Sequence, residues 1–238
     1  MYRHGARLQK MTVTPVAVPP AVLGLLFLIS CSFIKEGAAT DGRGVVDWEL
    51  ATLNQSTRNE LTRIGNPQTI KCPYGEAVHF DGKGDALFLD VDPLLKLRQF
   101  TVEVIMSPDS KGPAEQRFLQ IGEVSGDRMM METRVTVDAQ WYLDAYIRSG
   151  DSSRALIDKT KLHSTDTWHH AALVVDNGEM ATYVDGKPEL GGFVTFSPFT
   201  KGATSIGSRL NKVYWFKGAI YKIRITPKRL SPTEFLKY

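Results

Sequence analysis

The residues with the chemistry to do more than fold are few, and the carboxylates come first. Asp81, Asp85, Asp90 and Asp92 fall close together around the glycine-rich turn at Gly82 and Gly84. Calcium takes about six to eight oxygens from such side chains and from backbone carbonyls. Asp81 and Asp85 are therefore the candidate ligands of a structural calcium, set against the ordinary role of aspartate in closing turns. His169 and His170 suggest a metal or acid–base pair, but successive residues of a strand point to opposite faces and do not easily chelate one ion. No G-x-S-x-G, H-E-x-x-H or phosphate-binding loop occurs. The remaining candidates are aromatic: Tyr142, Tyr146, Tyr214 and Trp215 can offer flat faces to sugar rings, although part of any such set is taken up by packing. Tyr146, Arg148 and Trp215 are the candidate ligand-binding residues, and Trp141 and Trp168 are assigned to the core.

The elements that must hold these residues are strands. From Trp168 to Val184 the chain reads as two strands joined by Asn177-Gly178, a pair suited to a type I′ turn. On the second strand Met180, Thr182 and Val184 share one face, and Ala181, Tyr183 and Asp185 the other. The turn Asp185-Gly186-Lys187-Pro188 follows. Trp141 to Arg148 alternates cleanly, with Trp141, Leu143, Ala145 and Ile147 against Tyr142, Asp144, Tyr146 and Arg148. Phe118 to Ile121 and Arg128 to Val137 supply two more strands, Val45 to Trp48 a first one, and Glu49 to Ile64 is polar with room for a short helical turn. Ser231, Pro232 and Glu234 have the types and spacing of a capping box for one last helical turn. About ten strands, no long helix and turns rich in Gly and Asp predict an all-β fold, a two-sheet antiparallel jelly-roll sandwich.

The motifs carry a resemblance. W-H-H-A-A followed by Y-V-D-G at residues 168–186 resembles the W-H-H-V-A and Y-V-D-G signature of bacterial laminin G-like domains, of the concanavalin A-like lectin/glucanase superfamily. Ala77 to Leu89 resembles the family's A-L-x-F-D-G stretch and the strand after it. Phe100 to Pro108 resembles its F-T-I-S-x-W-x-x-P strand, with Ile105 in place of the Trp. Phe216 to Ile225 and Leu230 to Glu234 resemble its closing strand and L-S-x-x-E turn. The resemblance covers roughly residues 45 to 238. It implies a binding module, and in several members a structural calcium, but the family's D-E in the closing strand is replaced here by Tyr221 and Lys222. Glucanases of the superfamily use E-x-D-x-x-E, which is absent. Tyr214 to Lys217 resembles a strand of jelly-roll alginate lyases, whose Q-x-H motif is also absent.

Residues 1–30 have the layout of a secretory signal peptide, with Arg3, Arg7 and Lys10 ahead of an apolar run from Ala21 to Ile29. That run is too short for a bilayer span, which takes roughly 20 residues. Leu28-Ile29-Ser30-Cys31 resembles a bacterial lipobox, so Cys31 is the expected lipidation site, and the alternative is an ordinary signal peptide that happens to contain a cysteine. Residues 31–44, rich in Gly and Ala, would form a flexible tether, and 45–238 the single folded domain. The three leader cations account for the formal net charge of +3, so no basic footprint for nucleic acid remains. With two cysteines in the chain, Cys72 lacks a partner once Cys31 is lipidated or removed, and is expected to be a small buried apolar side chain.

These readings converge on a non-catalytic binding module at the cell envelope, as an outer-membrane or cell-surface lipoprotein or a secreted protein, with a carbohydrate or a surface protein as partner and the membrane reached through the lipid anchor. The alternatives are a jelly-roll polysaccharide lyase or glycoside hydrolase, and a purely structural adhesion module. Convergence of Glu103, Glu132, Arg134, Asp144 and Tyr146 on one face would favour the enzyme.

Overall fold

The turn at Asn177 and Gly178 has φ of 48° and 97°, the left-handed pair that a type I′ hairpin requires and that Asn and Gly adopt at little cost. It joins two strands in the register expected, Asp176 facing Glu179 and Ala171 facing Val184. The computed structural model describes residues 44–238, and Cys31, the lipobox and most of the tether lie outside the described residues.

In chain order the strands are β1 (Val46–Glu49), β2 (Leu61–Ile64), β3 (Gln68–Cys72), β4 (Gly75–Asp81), β5 (Ala86–Leu89), β6 (Gln99–Pro108), β7 (Glu115–Gly122) and β8 (Arg128–Val135). They continue as β9 (Gln140–Ser149), β10 (Ser152–Ile157), β11 (His163–Ser164), β12 (His169–Asp176), β13 (Glu179–Val184), β14 (Lys187–Phe193), β15 (Ala203–Ile206) and β16 (Lys217–Thr226). A helix α1 (Leu50–Gln55) follows β1, and a 3₁₀ turn at Pro232–Glu234 stands where the last helical turn was expected. Ser231 N–H donates to Glu234 there at 2.9 Å.

Two antiparallel sheets result. One runs β14-β13-β12-β6-β16-β4-β3, with β1 also on β16; the other runs β10-β9-β8-β7-β15-β5-β2, with β11 on the end of β9. Their facing sides bury one apolar cluster that includes Phe80, Phe100, Phe118, Phe216 and Trp141, worth roughly 2–3 kcal/mol per large side chain removed from water. The indole N–H of Trp141 donates to the Ser164 carbonyl at 3.1 Å, so the buried ring keeps its polar atom satisfied.

The far side of the first sheet is covered. The segment after β16 crosses it, and Leu230 and Phe235 pack on Ala172, Val174 and Tyr183. Leu230 N–H donates to Thr101 Oγ1 at 3.0 Å and Leu236 N–H to Glu103 Oε1 at 2.7 Å. The face that period-two reading would assign to solvent on β6 is thus a second, smaller core.

Four expectations need correction. Among the described residues sixteen strands form rather than about ten, the additional ones being mostly edge strands with polar sequences. The strand expected to reach Val137 stops at Val135, because Thr136 accepts from Ala139 N–H in a turn where Ala139 has φ of 56°. Cys72, at the end of edge strand β3, is only half-buried, since no neighbour closes its outer flank. Trp168 is half-buried as well and meets Tyr74 edge-on with ring centroids 5.9 Å apart.

Candidate functional site

The less covered face is the outer side of β8 and β9; on β7 only Glu115 is exposed, and Gln116, Arg117 and Gln120 are buried. On β9 the alternation sends Trp141, Leu143, Ala145 and Ile147 into the core and leaves Tyr142, Asp144, Tyr146 and Arg148 outside. On β8 Met129 and Met131 enter the core while Arg128, Met130, Glu132 and Arg134 face outward. A register shift between Arg117 and Leu119 lets β7 bury Phe118 and Leu119 together and still present Arg117 outward.

Register then assembles the site. Glu132 faces Asp144 across β8 and β9, and Arg117 faces Glu132 across β7 and β8. Arg134 binds all three nearby carboxylates, Glu115 at 2.6 Å, Asp144 at 2.7 Å and Glu132 at 3.2 Å. Arg117 Nε lies 2.9 Å from Glu132 as a charge, with its N–H directed away from the oxygen. Glu132 is 2% exposed and Asp144 4%. Burial, and then the neighbouring Asp144 charge, push the Glu132 carboxyl up to about 7, against the pull of Arg117 and Arg134. The loop between β15 and β16 lies over this network: Arg117 N–H donates to Tyr214 O at 2.9 Å, and the Arg117 guanidinium sits 3.7 Å from the Tyr214 ring centroid.

At the other end of the face, the Arg128 guanidinium lies 5.2 Å from the Tyr146 ring centroid, and Arg148 Nε donates to Gly150 O at 3.3 Å. A recess of about 520 Å³ opens beside it, lined by the Gly122–Gly126 loop, Lys201 and Leu210.

Of the residues expected from sequence, Tyr146 and Arg148 stand together on β9. Trp215 does not join them: it is half-buried on the loop across β7, where its neighbour Tyr214 is the ring that reaches the charged network. Glu132, Arg134 and Asp144 converge and Tyr146 flanks them. Glu103 is in the other sheet, under the C-terminal segment, bonded to His170 at 3.0 Å and Arg224 at 2.6 Å. Burial would raise its pKa, but these partners and the Leu236 N–H hold it below the usual value. Arg117, Arg128 and Arg209 were not anticipated; arginine carries no spacing signal of its own, and only strand register brings these together.

His169 and His170 do point apart. His169 Nδ1 is 2.8 Å from Asp185 and its Nε2 2.9 Å from Ser164 O, while His170 faces Glu103. Asp81 Oδ1 accepts the N–H groups of Lys83, Gly84 and Asp85 at 2.8–3.1 Å. Asp85 accepts those of Asn66 at 2.8 Å and Asp81 at 3.2 Å. Both carboxylates thus serve the turn, and an oxygen already facing backbone N–H dipoles is a poor cation donor. Among the described residues no group of three or more His, Cys, Asp or Glu side chains is placed to hold a metal.

Two stacked antiparallel sheets, with one outer face covered and the other open and furnished with aromatic and charged side chains, define a jelly-roll sandwich of the concanavalin A-like type. Residues 81–235 match Laminin_G_3, the concanavalin A-like lectin/glucanases superfamily, and the chain belongs to that family. Among curated protein sequences none matches significantly. Similar solved structures include domain 4 of an extracellular GH43 arabinanase from Geobacillus stearothermophilus in complex with arabinotriose, at 20% identity and TM-score 0.52, covering 71% of this chain and 79% of that one. The botulinum neurotoxin serotype D binding domain is 16% identical with TM-score 0.55, covering 73% of this chain and 44% of that one. Trypanosoma rangeli sialidase, in complex with the inhibitor DANA, is 15% identical with TM-score 0.53, covering 72% and 28%. At these identities the likeness is one of fold.

Proposed function

We propose that the chain is a non-catalytic carbohydrate-binding module of a bacterial cell envelope, anchored through lipid on Cys31, and that it binds through the outer face of β8 and β9. The observation that carries the binding reading is the asymmetry of the sandwich: the C-terminal segment covers one outer face, whereas the other leaves Tyr142, Tyr146 and Arg148 part-exposed on one strand. A flat phenol ring flanked by hydrogen-bonding guanidinium groups suits a sugar ring, which offers an apolar face and a rim of hydroxyls. The arabinotriose bound by the arabinanase domain makes a saccharide a more natural partner than a surface protein.

A glycan-cleaving reading has one observation in its favour, the raised Glu132 carboxyl beside Asp144. Its weakness is access, since both carboxyl groups are buried and held by Arg117 and Arg134 rather than turned toward a substrate.

A glycan array probed with the full chain, followed by product detection on every polysaccharide bound, separates these readings. Saturable binding that Tyr146→Ala weakens by roughly tenfold, as expected for losing about 1–2 kcal/mol of ring contact, without product and without sensitivity to chelator, supports a binding module. Product formation that Glu132→Gln abolishes would replace it with the enzyme, and failure to bind any glycan would return the reading to a protein partner or a structural role. Release of the intact chain by detergent, but of a Cys31→Ala variant by buffer alone, tests the anchor.

A further inference from the structure

Arg128, Arg148 and Arg209 gather at one corner of the open face, where the adjoining Asp127 carboxylate is bonded to Gly150 rather than to any of them. We propose that they form an anion-binding subsite, beside the stacking ring of Tyr146, for the carboxylate or sulfate of an acidic saccharide; this rests on the carbohydrate-binding reading above and specifies its substrate class.

Arg128 and Arg148 are direct cross-strand partners on β8 and β9, a placement in which like charges repel. Arg209 reaches the same corner from the loop between β15 and β16. Its Nη2 donates to Val124 O at 3.2 Å, on the short loop whose Gly126 O accepts Arg128 Nη1 at 2.7 Å. Burial, with the charges of Arg209 and Arg148 adding to it, pushes the Arg128 pKa down despite the nearby Tyr146 and Glu132. Arg117, Arg134, Arg224 and Arg229 each bind a carboxylate; among the described residues these three bind none.

The acids within reach are occupied. Glu123 holds Lys201 at 2.9 Å, Asp127 Oδ1 accepts Gly150 N–H at 2.7 Å, and Glu132 is held by Arg117 and Arg134. The Nε atoms of Arg128 and Arg209 are buried with no acceptor. Three guanidinium groups without an ion-pair partner, two of them with an orphaned Nε–H donor, weaken the free protein. An oxyanion would relieve the repulsion by accepting from the terminal guanidinium N–H groups, since the buried Nε atoms lie out of a ligand's reach.

Tyr146 makes a saccharide the fitting carrier of that anion. Its ring lies against Arg128 and two residues before Arg148 on the same side of β9, so a sugar stacked on it places an acidic substituent among the arginines. The recess bounded by the Gly122–Gly126 loop and Lys201 gives the chain of sugars room to continue.

Titration calorimetry of the full chain against polygalacturonate, dextran sulfate and neutral dextran tests this. The expected result is salt-sensitive binding of an acidic polymer and none of dextran, with the arm that binds identifying carboxylate or sulfate. Arg148→Gln should weaken that binding roughly tenfold or more, the loss of one charge-assisted contact, without lowering the thermal midpoint of the free protein. Arg209→Gln, on a loop, provides an independent second variant, and Lys161→Gln, exposed on the turn after β10, should change nothing. Equal losses from Lys161→Gln and Arg148→Gln would overturn the subsite as diffuse charge attraction. Saturable binding of neutral glycans with no dependence on Arg148 would overturn the acidic class while leaving carbohydrate binding intact, and no binding to any glycan would defeat both readings.

Discussion

Glu132 is the residue whose chemistry the fold changes most visibly. Its carboxyl titrates near pH 7 because burial and Asp144 oppose ionisation more than Arg117 and Arg134 favour it. A carboxyl whose pKa rises on folding holds its proton more tightly in the native state. Stability therefore falls as pH climbs from the unfolded value near 4.5 to about 7, by about 3 kcal/mol, and levels off above. Asp92, pushed up to about 6 by burial, adds a slope of the same sign in both wild type and variant. Urea unfolding at pH 5 and pH 8 should show the wild type losing more stability across that interval than Glu132→Gln; parallel losses would mean that another group titrates. Glu132, Arg134 and Asp144 could be grouped from the sequence as candidates for one face, but neither the pairing among them nor the shifted carboxyl was legible there. R-M-M-M-E-T-R-V places apolar residues on both faces of β8, because Met130 is outward and still buried, and that hides the period of two. Which carboxylate meets which arginine is set by register between strands, a relation no single stretch of chain contains.

At the scale of elements, the central hairpin was readable because its signals are local. Asn177-Gly178 demands positive φ and the flanking strands alternate, so turn and strands specify one another. Gly178→Ala should destabilise by about 2–4 kcal/mol, since a Cβ there would meet Val194 O at 2.2 Å as well as the strained φ. A chemical-denaturation midpoint unchanged by the substitution would contradict the packing of that turn. The next turn is held by Asp185, whose carboxylate accepts the His170 N–H and faces His169 and the Tyr238 hydroxyl. Burial opposes its ionisation, yet these partners bring it down to about 2, while Asp185 raises His169 against burial. The aspartate's contribution is present above its unfolded value near 3.8 and lost as pH falls toward 2; the histidine's is present below 6.5 and lost as pH rises past its raised value. Asp185→Asn should therefore lower the thermal midpoint most between about pH 4 and 6.5 and less on either side. The elements that escaped the sequence are those with weak signals: β3 and β14 are edge strands, the latter carrying Pro188 and two glycines, and such residues mark edges by interrupting the strand pattern. Helix α1 spans too few residues to show a helical period.

Taken whole, the molecule is a sandwich with one roofed side. The roof is the C-terminal segment, and the resemblance at Leu230 to Glu234 located it without showing what lay underneath. Truncation after Arg229 would expose the Ala172, Val174 and Tyr183 patch and remove Leu230 and Phe235 from burial, a loss of about 2 kcal/mol for each apolar side chain. It would also strip Glu103 of the Leu236 N–H. The truncated chain is expected to unfold at lower urea and to bind an apolar dye, while the tyrosine and arginine face on the opposite sheet keeps its ligand. Full stability without the roof would show that the first sheet needs no cover.

The pairing of β1 with β16 also gives the molecule a front and a back. The described chain enters along the roofed sheet, and its last residue, Tyr238, is fastened to Asp185 at the end of β13 in that same sheet. A support coupled at the start of β1, whether a sensor chip or a bead, therefore holds the folded part by its back and turns the open face toward the passing solution. Coupling at arginine side chains would blind the same surface.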